Sequence, residues 1–192
     1  MSDSNQQTIT IDGREVPFKA GQSIMDAALD AGIYIPHLCH RPGLTPHGSC
    51  KLCTVEVNGR SASACTLPAA ADQEVISNSE ELHEVRKTLT QMLFIEGNHL
   101  CPSCEKTGDC TLQAMAYYLE MLDGHFPQLY PHREVDASHD SIILDRDRCI
   151  LCALCVRASR EVDGKDLFAI AGRGTDARLI VNSESGKLGD SD

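Results

Sequence analysis

Ten cysteines fall into three sets without remainder. Cys39, Cys50, Cys53 and Cys65 are separated by gaps of ten, two and eleven residues; Cys101, Cys104 and Cys110 by two and five; Cys149, Cys152 and Cys155 by two and two. Each set contains a CxxC, a spacing that lets two thiolates on a tight loop face one metal centre. Cysteines in this number serve as disulfides, zinc ligands or iron–sulfur ligands, and the compartment helps to choose among them. The N-terminal MSDSNQQTITID has neither a basic n-region nor an apolar h-region, and nowhere does the chain offer the roughly 18 consecutive apolar residues of a membrane span. The expected location is therefore the cytoplasm, where persistent disulfides are rare and clustered cysteines bind metal.

The first set has four cysteines but a longer opening gap than the plant-type [2Fe–2S] pattern of four and two. Pro42, Gly43 and Gly48 lie in that gap and allow the loop to bend closely around a cluster, offering backbone N–H groups to its sulfides. A Rieske centre needs two histidines in place of two cysteines; His40 follows Cys39, but no histidine pairs with the Cys50–Cys53 turn. A four-cysteine zinc site is the alternative, although such sites commonly use two CxxC pairs and only one is present. The second set, in NHLCPSCEKTGDC, lacks a fourth ligand unless His99 supplies it, and a Cys3His shell suits zinc as well as iron. The third set, CILCALC, has the spacing that opens the bacterial [4Fe–4S] run. The other histidines, His37, His40, His47, His83, His125, His132 and His139, read as ordinary structural residues.

The elements that must carry these loops are short. Alternation through Thr8–Ile11, a turn at Asp12-Gly13 and a second strand near Val16–Phe18 predict a hairpin. Ser23 caps a helix through Ile24, Ala27, Ala28 and Ala31, with Gly32 as its stop. CTVEVNG and EVISN predict further strands, so that residues 1–78 read as a small α+β domain of β-grasp type carrying the first set. A helical period follows from about 79 to 96, with Leu82, Val85, Leu89, Met92 and Leu93 on one face, core or subunit contact rather than a cofactor box. TLQAMAYYLEML is a second helix, and 79–124 form a helical segment around the second set. The stretch from Gly124 to His139, with two prolines and three histidines, reads as an irregular connection and the domain boundary. Beyond it, 125–192 predict a strand, the third cysteine loop, a helix through Val156–Val162, strands near Phe168 and Leu179, and a loose polar tail, NSESGKLGDSD.

Aromatic residues make up 4% of the chain and tryptophan is absent, so a large aromatic core is not expected and the fold needs other support. The formal charge of −11 argues against nucleic acid and anionic membranes, which select basic patches. It favours a redox partner or a larger assembly. The glycines near AGRGTD follow no strand-to-helix turn of the dinucleotide-binding kind, so flavin and nicotinamide chemistry falls to other chains.

The order of a four-cysteine β-grasp domain, then HLCPSCEKTGDCTLQ, then CILCALC resembles the N-terminal iron–sulfur region of the large peripheral subunit of respiratory complex I and of [FeFe]-hydrogenases. Over nearly the whole chain, EGNHLCPSCEKTGDCTLQA and RDRCILC resemble the diaphorase gamma subunit of soluble NAD-reducing [NiFe]-hydrogenases. In the complex I and [FeFe] versions three residues usually stand between the histidine and the first cysteine; here only Leu100 intervenes, as in the hydrogenase gamma subunits. The resemblance implies a [2Fe–2S] cluster on Cys39, Cys50, Cys53 and Cys65, a [4Fe–4S] cluster on His99, Cys101, Cys104 and Cys110, and a second [4Fe–4S] cluster on Cys149, Cys152 and Cys155. It implies an electron-transfer subunit between a hydrogenase small subunit and a flavin subunit that holds FMN and NAD, with no catalytic site of its own. A relay in a formate dehydrogenase or a complex I arm is the alternative, and a zinc-stabilised interaction module is the alternative from another class.

The third set has no fourth cysteine after Cys155. In the resembling subunits a later cysteine followed by proline closes the site beyond two short strands. Three explanations compete: a sequence cut short of its natural end, a three-iron cluster, or a substitute such as Asp147 or a tail carboxylate. Truncation of the 125–192 domain is the favoured expectation, because strands that frame a closing ligand have little purpose without it.

Overall fold

The computed structural model describes residues 7–191. It divides into two compact units, one running to Pro42 and from Pro46 to Leu89, the other comprising Gly43–Thr45 and the chain from Thr90 onward.

The first unit is a mixed sheet with one helix. Strands β1 (Thr8–Ile11) and β2 (Arg14–Pro17) form the expected hairpin, and β3 (Thr54–Val57) and β4 (Arg60–Ser63) form a second. Both turns are Asx-Gly pairs with positive φ at each residue, Asp12 and Gly13 in one, Asn58 and Gly59 in the other. That geometry matches the twist of a two-residue hairpin. Strand β5 (Glu74–Ile76) lies between the hairpins, parallel to β1 and antiparallel to β3, in the order β2-β1-β5-β3-β4. Helix α1 (Ile24–Asp30) starts at a full capping box: Ser23 Oγ accepts from Asp26 N–H, and the Asp26 carboxylate accepts from Ser23 N–H, both at 3.1 Å. The box satisfies donors that a helix start otherwise leaves open. Ile24, Met25, Ala27 and Ala28 then pack on Ile9, Ile11, Val16, Val55 and Val75, an aliphatic core in keeping with the scarcity of aromatics.

Helix α2 (Glu80–Ile95) passes from the first unit into the second. Helix α3 (Thr111–Tyr118) is shorter than its apolar sequence suggests, because Glu120 turns to φ +52° and the Met121 N–H closes on Ala116 O at 2.9 Å. The connection from Gly124 to His139 contains one element, β6 (Val135–Asp136), which pairs with β7 (Leu144–Asp145). After the short helix α4 (Leu154–Arg157) and a π-turn over Ala158–Val162, strands β8 (Phe168–Ala171) and β9 (Arg178–Val181) make an antiparallel pair.

The expectation of a loose tail does not hold for residues 182–191. Leu188 is 1% exposed; its N–H donates to Asp136 Oδ2 at 2.8 Å, and Gly189 N–H donates to Ser138 Oγ at 2.7 Å. One apolar residue in a polar run and a carboxylate fifty-two positions away are enough to dock it. Among the described residues no helix is long and apolar enough to cross a membrane.

Candidate functional site

The first unit brings Cys39, Cys50, Cys53 and Cys65 together, with Cys39, Cys53 and Cys65 buried and Cys50 half-buried. Cys53 Sγ and Cys65 Sγ are 3.3 Å apart. Cys65 reaches that position because the orphan N–H groups at the start of α1 hold its loop, Ile24 donating to Leu67 O and Met25 to Ala64 O, each at 3.0 Å. Between Cys50 and Cys53, Lys51 adopts φ +57° and turns the backbone sharply. Gly48, at φ +70°, has room for no side chain without pressing on Thr66.

The four thiols share protons unevenly. Cys39 is held far below an ordinary thiol by bonds from Cys50 and then Cys65, and the bond to Cys39 pushes each of those two up. Cys53 comes down to about 7, chiefly through Cys65. Metal binding to such a set displaces the thiol protons, since the thiolate is the ligand. Backbone N–H groups of Leu38 and Leu52 also bond to Cys50 and pull it back toward thiolate, by less than the Cys39 bond and burial push it up.

In the second unit His99, Cys101, Cys104 and Cys110 line one cleft, with Phe94, Thr107, Gln113 and Arg148 among its walls. A short 3-10 turn over Cys101–Ser103 carries the CxxC, and Cys110 sits at the N-cap of α3. The His99 ring lies edge-on to Phe94 at 5.5 Å, and its Nε2 is buried with no hydrogen-bond partner among the described residues. An orphaned buried nitrogen is costly and calls for a ligand. Burial, then the nearby Arg148 charge, push the His99 pKa down, so the ring stays neutral, the state in which imidazole binds metal. Gly97 makes this placement possible: a Cβ there would lie 2.5 Å from His99 Nε2 and 2.6 Å from Asp147 O.

Cys149 and Cys152 lie on the loop leading into α4 and Cys155 in the helix's first turn, the first two half-buried and the third exposed. Leu151 and Ala153, at φ +53° and +54°, turn the backbone between them. Arg157 is buried and donates to Cys152 O at 3.3 Å, Ala153 O at 3.2 Å and Thr45 O at 2.7 Å. Asp147, named above as a substitute ligand, is otherwise engaged: Oδ1 accepts from Arg133 N–H at 2.9 Å and Oδ2 from Asn98 Nδ2 at 3.1 Å.

Three family models match in succession: the 2Fe-2S iron-sulfur cluster binding domain over residues 4–80, the NADH-ubiquinone oxidoreductase-G iron-sulfur binding region over 86–125, and the 4Fe-4S single cluster domain over 142–192. The NAD-reducing hydrogenase HoxS subunit gamma of Cupriavidus necator is 42% identical over 92% of this chain and 76% of its own length. The chain belongs to the gamma-subunit family of NAD-reducing hydrogenases. A chain in a crystal structure of NAD+-reducing [NiFe]-hydrogenase in the H2-reduced state agrees with it at a TM-score of 0.93, with 54% identity over 96% of this chain and 78% of that one. The family reaches further. The mitochondrial 78 kDa subunit of NADH-ubiquinone oxidoreductase from Candida albicans is 34% identical over 89% of this chain, and the NADPH-Fe(3+) oxidoreductase subunit alpha of Geobacter sulfurreducens 31% over 94%. This chain spans only 24% and 22% of those two. Like its relatives, this gamma-family chain carries one [2Fe–2S] domain and [4Fe–4S] binding regions.

The arginines that serve these loops were not found from sequence. Arg148 is the one with a local signal, since it adjoins Cys149; Arg86 and Arg157 reach the sites only through the fold.

Proposed function

We propose that this chain relays electrons between a hydrogen-oxidising module and a flavin module that reduces NAD+, in the cytoplasm and as part of a hetero-oligomer. What carries the reading is that each cysteine set falls inside one of the three matched iron–sulfur regions. In this reading Cys39, Cys50, Cys53 and Cys65 hold a [2Fe–2S] cluster. His99, through Nε2, and Cys101, Cys104 and Cys110 hold a [4Fe–4S] cluster, and Cys149, Cys152 and Cys155 supply three ligands to another. The clusters, when bound, supply one-electron chemistry; the hydrogenase small subunit and the diaphorase subunit with FMN and NAD are the neighbours on either side.

The chain's own residues do the holding. The sheet order and the helix across it fit a β-grasp domain for 1–78, with the helical segment 79–124 and a ferredoxin-like segment 125–192 following. The αL residues Lys51, Leu151 and Ala153 turn the cysteine loops, and the half-buried Phe94 ring packs edge-on against His99. Exposed Leu100, Tyr117, Leu122 and Tyr130 rim a groove beside His99 and Cys101, an apolar surface of the kind a partner subunit covers.

The test is made on the assembled complex and on the single chain. The chain alone should be brown yet show neither hydrogen uptake nor NADH-driven dye reduction, and the complex should couple the two. Activity from the single chain, or a colourless protein with stoichiometric zinc, rejects the reading.

A further inference from the structure

Arg148 joins two of the cysteine loops. Its position in the chain is immediately before Cys149, in the third set, while its guanidinium lines the cleft of the second. One nitrogen of the guanidinium, Nη1, lies 3.5 Å from Cys104 Sγ and also donates to Glu105 Oε2; Nε lies 2.9 Å from Asp145 Oδ2. The exposed side chain is met from two directions, by carboxylates on different loops, Glu105 and Asp145. The turn that presents it is itself built: Asp145 caps a 3-10 turn over Arg146–Arg148 by accepting from Asp147 N–H, and Asn98 N–H, next to His99, donates to Asp147 O at 2.9 Å.

We propose that Arg148 sets the reduction potential of the centre at His99, Cys101, Cys104 and Cys110 through a charge-assisted N–H···S bond to Cys104. This rests on the ligand reading given above. Reduction adds negative charge to a cluster, and a fixed cation bonded to a ligand sulfur stabilises the reduced state more than the oxidised one, so the potential rises. Glu105 and Asp145 orient the fork and temper its charge. Arg148 is thus a positioning and tuning residue that touches a ligand rather than a substrate. Lysine cannot replace it fully, since a single ammonium cannot engage a sulfur and two carboxylates in one plane.

The experiment is an EPR-monitored redox titration of the holoprotein in its complex, comparing wild type with Arg148→Gln, Arg148→Lys and His99→Cys, with iron content measured for each. Arg148→Gln should lower the midpoint of the second centre so that, at a fixed poise, its reduced-to-oxidised ratio falls about tenfold, about 59 mV for one electron. Arg148→Lys should recover part of that shift, and the [2Fe–2S] midpoint should not move. If Arg148→Gln does not assemble, Arg148→Lys decides: a midpoint below that of wild type at full iron content supports the proposal. An unchanged midpoint in every assembled Arg148 variant overturns it. A signal that ignores His99→Cys rejects the ligand reading instead, whatever Arg148 does.

Discussion

At the scale of single residues, the second cysteine set depends on a hydrogen atom. Gly97 does not need a positive φ; it needs to have no Cβ, because one would sit 2.5 Å from His99 Nε2 and 2.6 Å from the carbonyl of Asp147. The histidine ring can rotate away, but the carbonyl belongs to backbone tied to Asn98 N–H at 2.9 Å. Gly97→Ala is therefore expected to turn His99 out of the cleft, with loss of about four irons per chain if His99 is a ligand. Iron analysis and the EPR of the second centre check this; a variant with full iron and an unchanged spectrum shows that the cleft does not need His99 where the structure places it. His99→Ala should weaken the same centre, whereas His99→Cys should keep it at a lower potential, because a thiolate is more negative than a neutral imidazole.

At the scale of elements, the helices and loops are tied by a few buried polar groups. Arg86 of α2 is 4% exposed and donates to Leu52 O at 2.9 Å, Thr54 O at 2.8 Å and Ser77 O at 2.8 Å, so two of its bonds bracket Cys53. Truncating it strands three carbonyls, and Arg86→Met should cost roughly 2–4 kcal/mol of stability and loosen the Cys53 turn. Urea unfolding together with visible circular dichroism of the [2Fe–2S] centre measures both effects. The tail dock offers a pH test. Bonds from Ser138 Oγ, Leu188 N–H and Ser138 N–H hold Asp136 down to about 2 from its usual 3.8. A carboxylate lowered on folding stabilises the fold fully above its unfolded pKa and loses that contribution as pH falls through its folded one. The 182–191 segment should thus become protease-sensitive between about pH 4 and pH 2, and Asp136→Ala should show the same sensitivity at neutral pH. Much of the scaffold was legible because its signals are local: Asp12-Gly13, Asn58-Gly59, the Ser23 cap and the CxxC spacings each act within a few residues. Arg86 meets Leu52 across thirty-four positions and Asp136 meets Leu188 across fifty-two, and neither pairing leaves a mark in the sequence pattern. Strand β4 was missed although RSAS follows the Asn58-Gly59 turn, since its four small or polar residues carry little alternation.

At the scale of the whole molecule, a chain of formal charge −11 directs an arginine at each cysteine set. Arg86 takes the carbonyls on either side of Cys53, Arg157 takes those of Cys152 and Ala153, and Arg148 reaches Cys104 Sγ itself. Drawing carbonyls outward leaves N–H groups free to face the sulfurs, and a positive charge nearby offsets that of thiolate-bound iron. The left-handed turns at Lys51, Leu151 and Ala153, each costing roughly 1–2 kcal/mol for a non-glycine residue, are tolerated where these arginines hold the loops. The sets are also distributed: the first belongs to one compact unit, the second and third to the other. Occupancy should follow that division. Wild-type protein is expected to carry about ten irons per chain, Cys53→Ser about eight, and Cys104→Ser about six, each variant keeping the spectrum of the centres it does not touch. If Cys53→Ser instead loses all its iron, the units do not fold independently and the arginine at each loop acts only within a single cooperative structure.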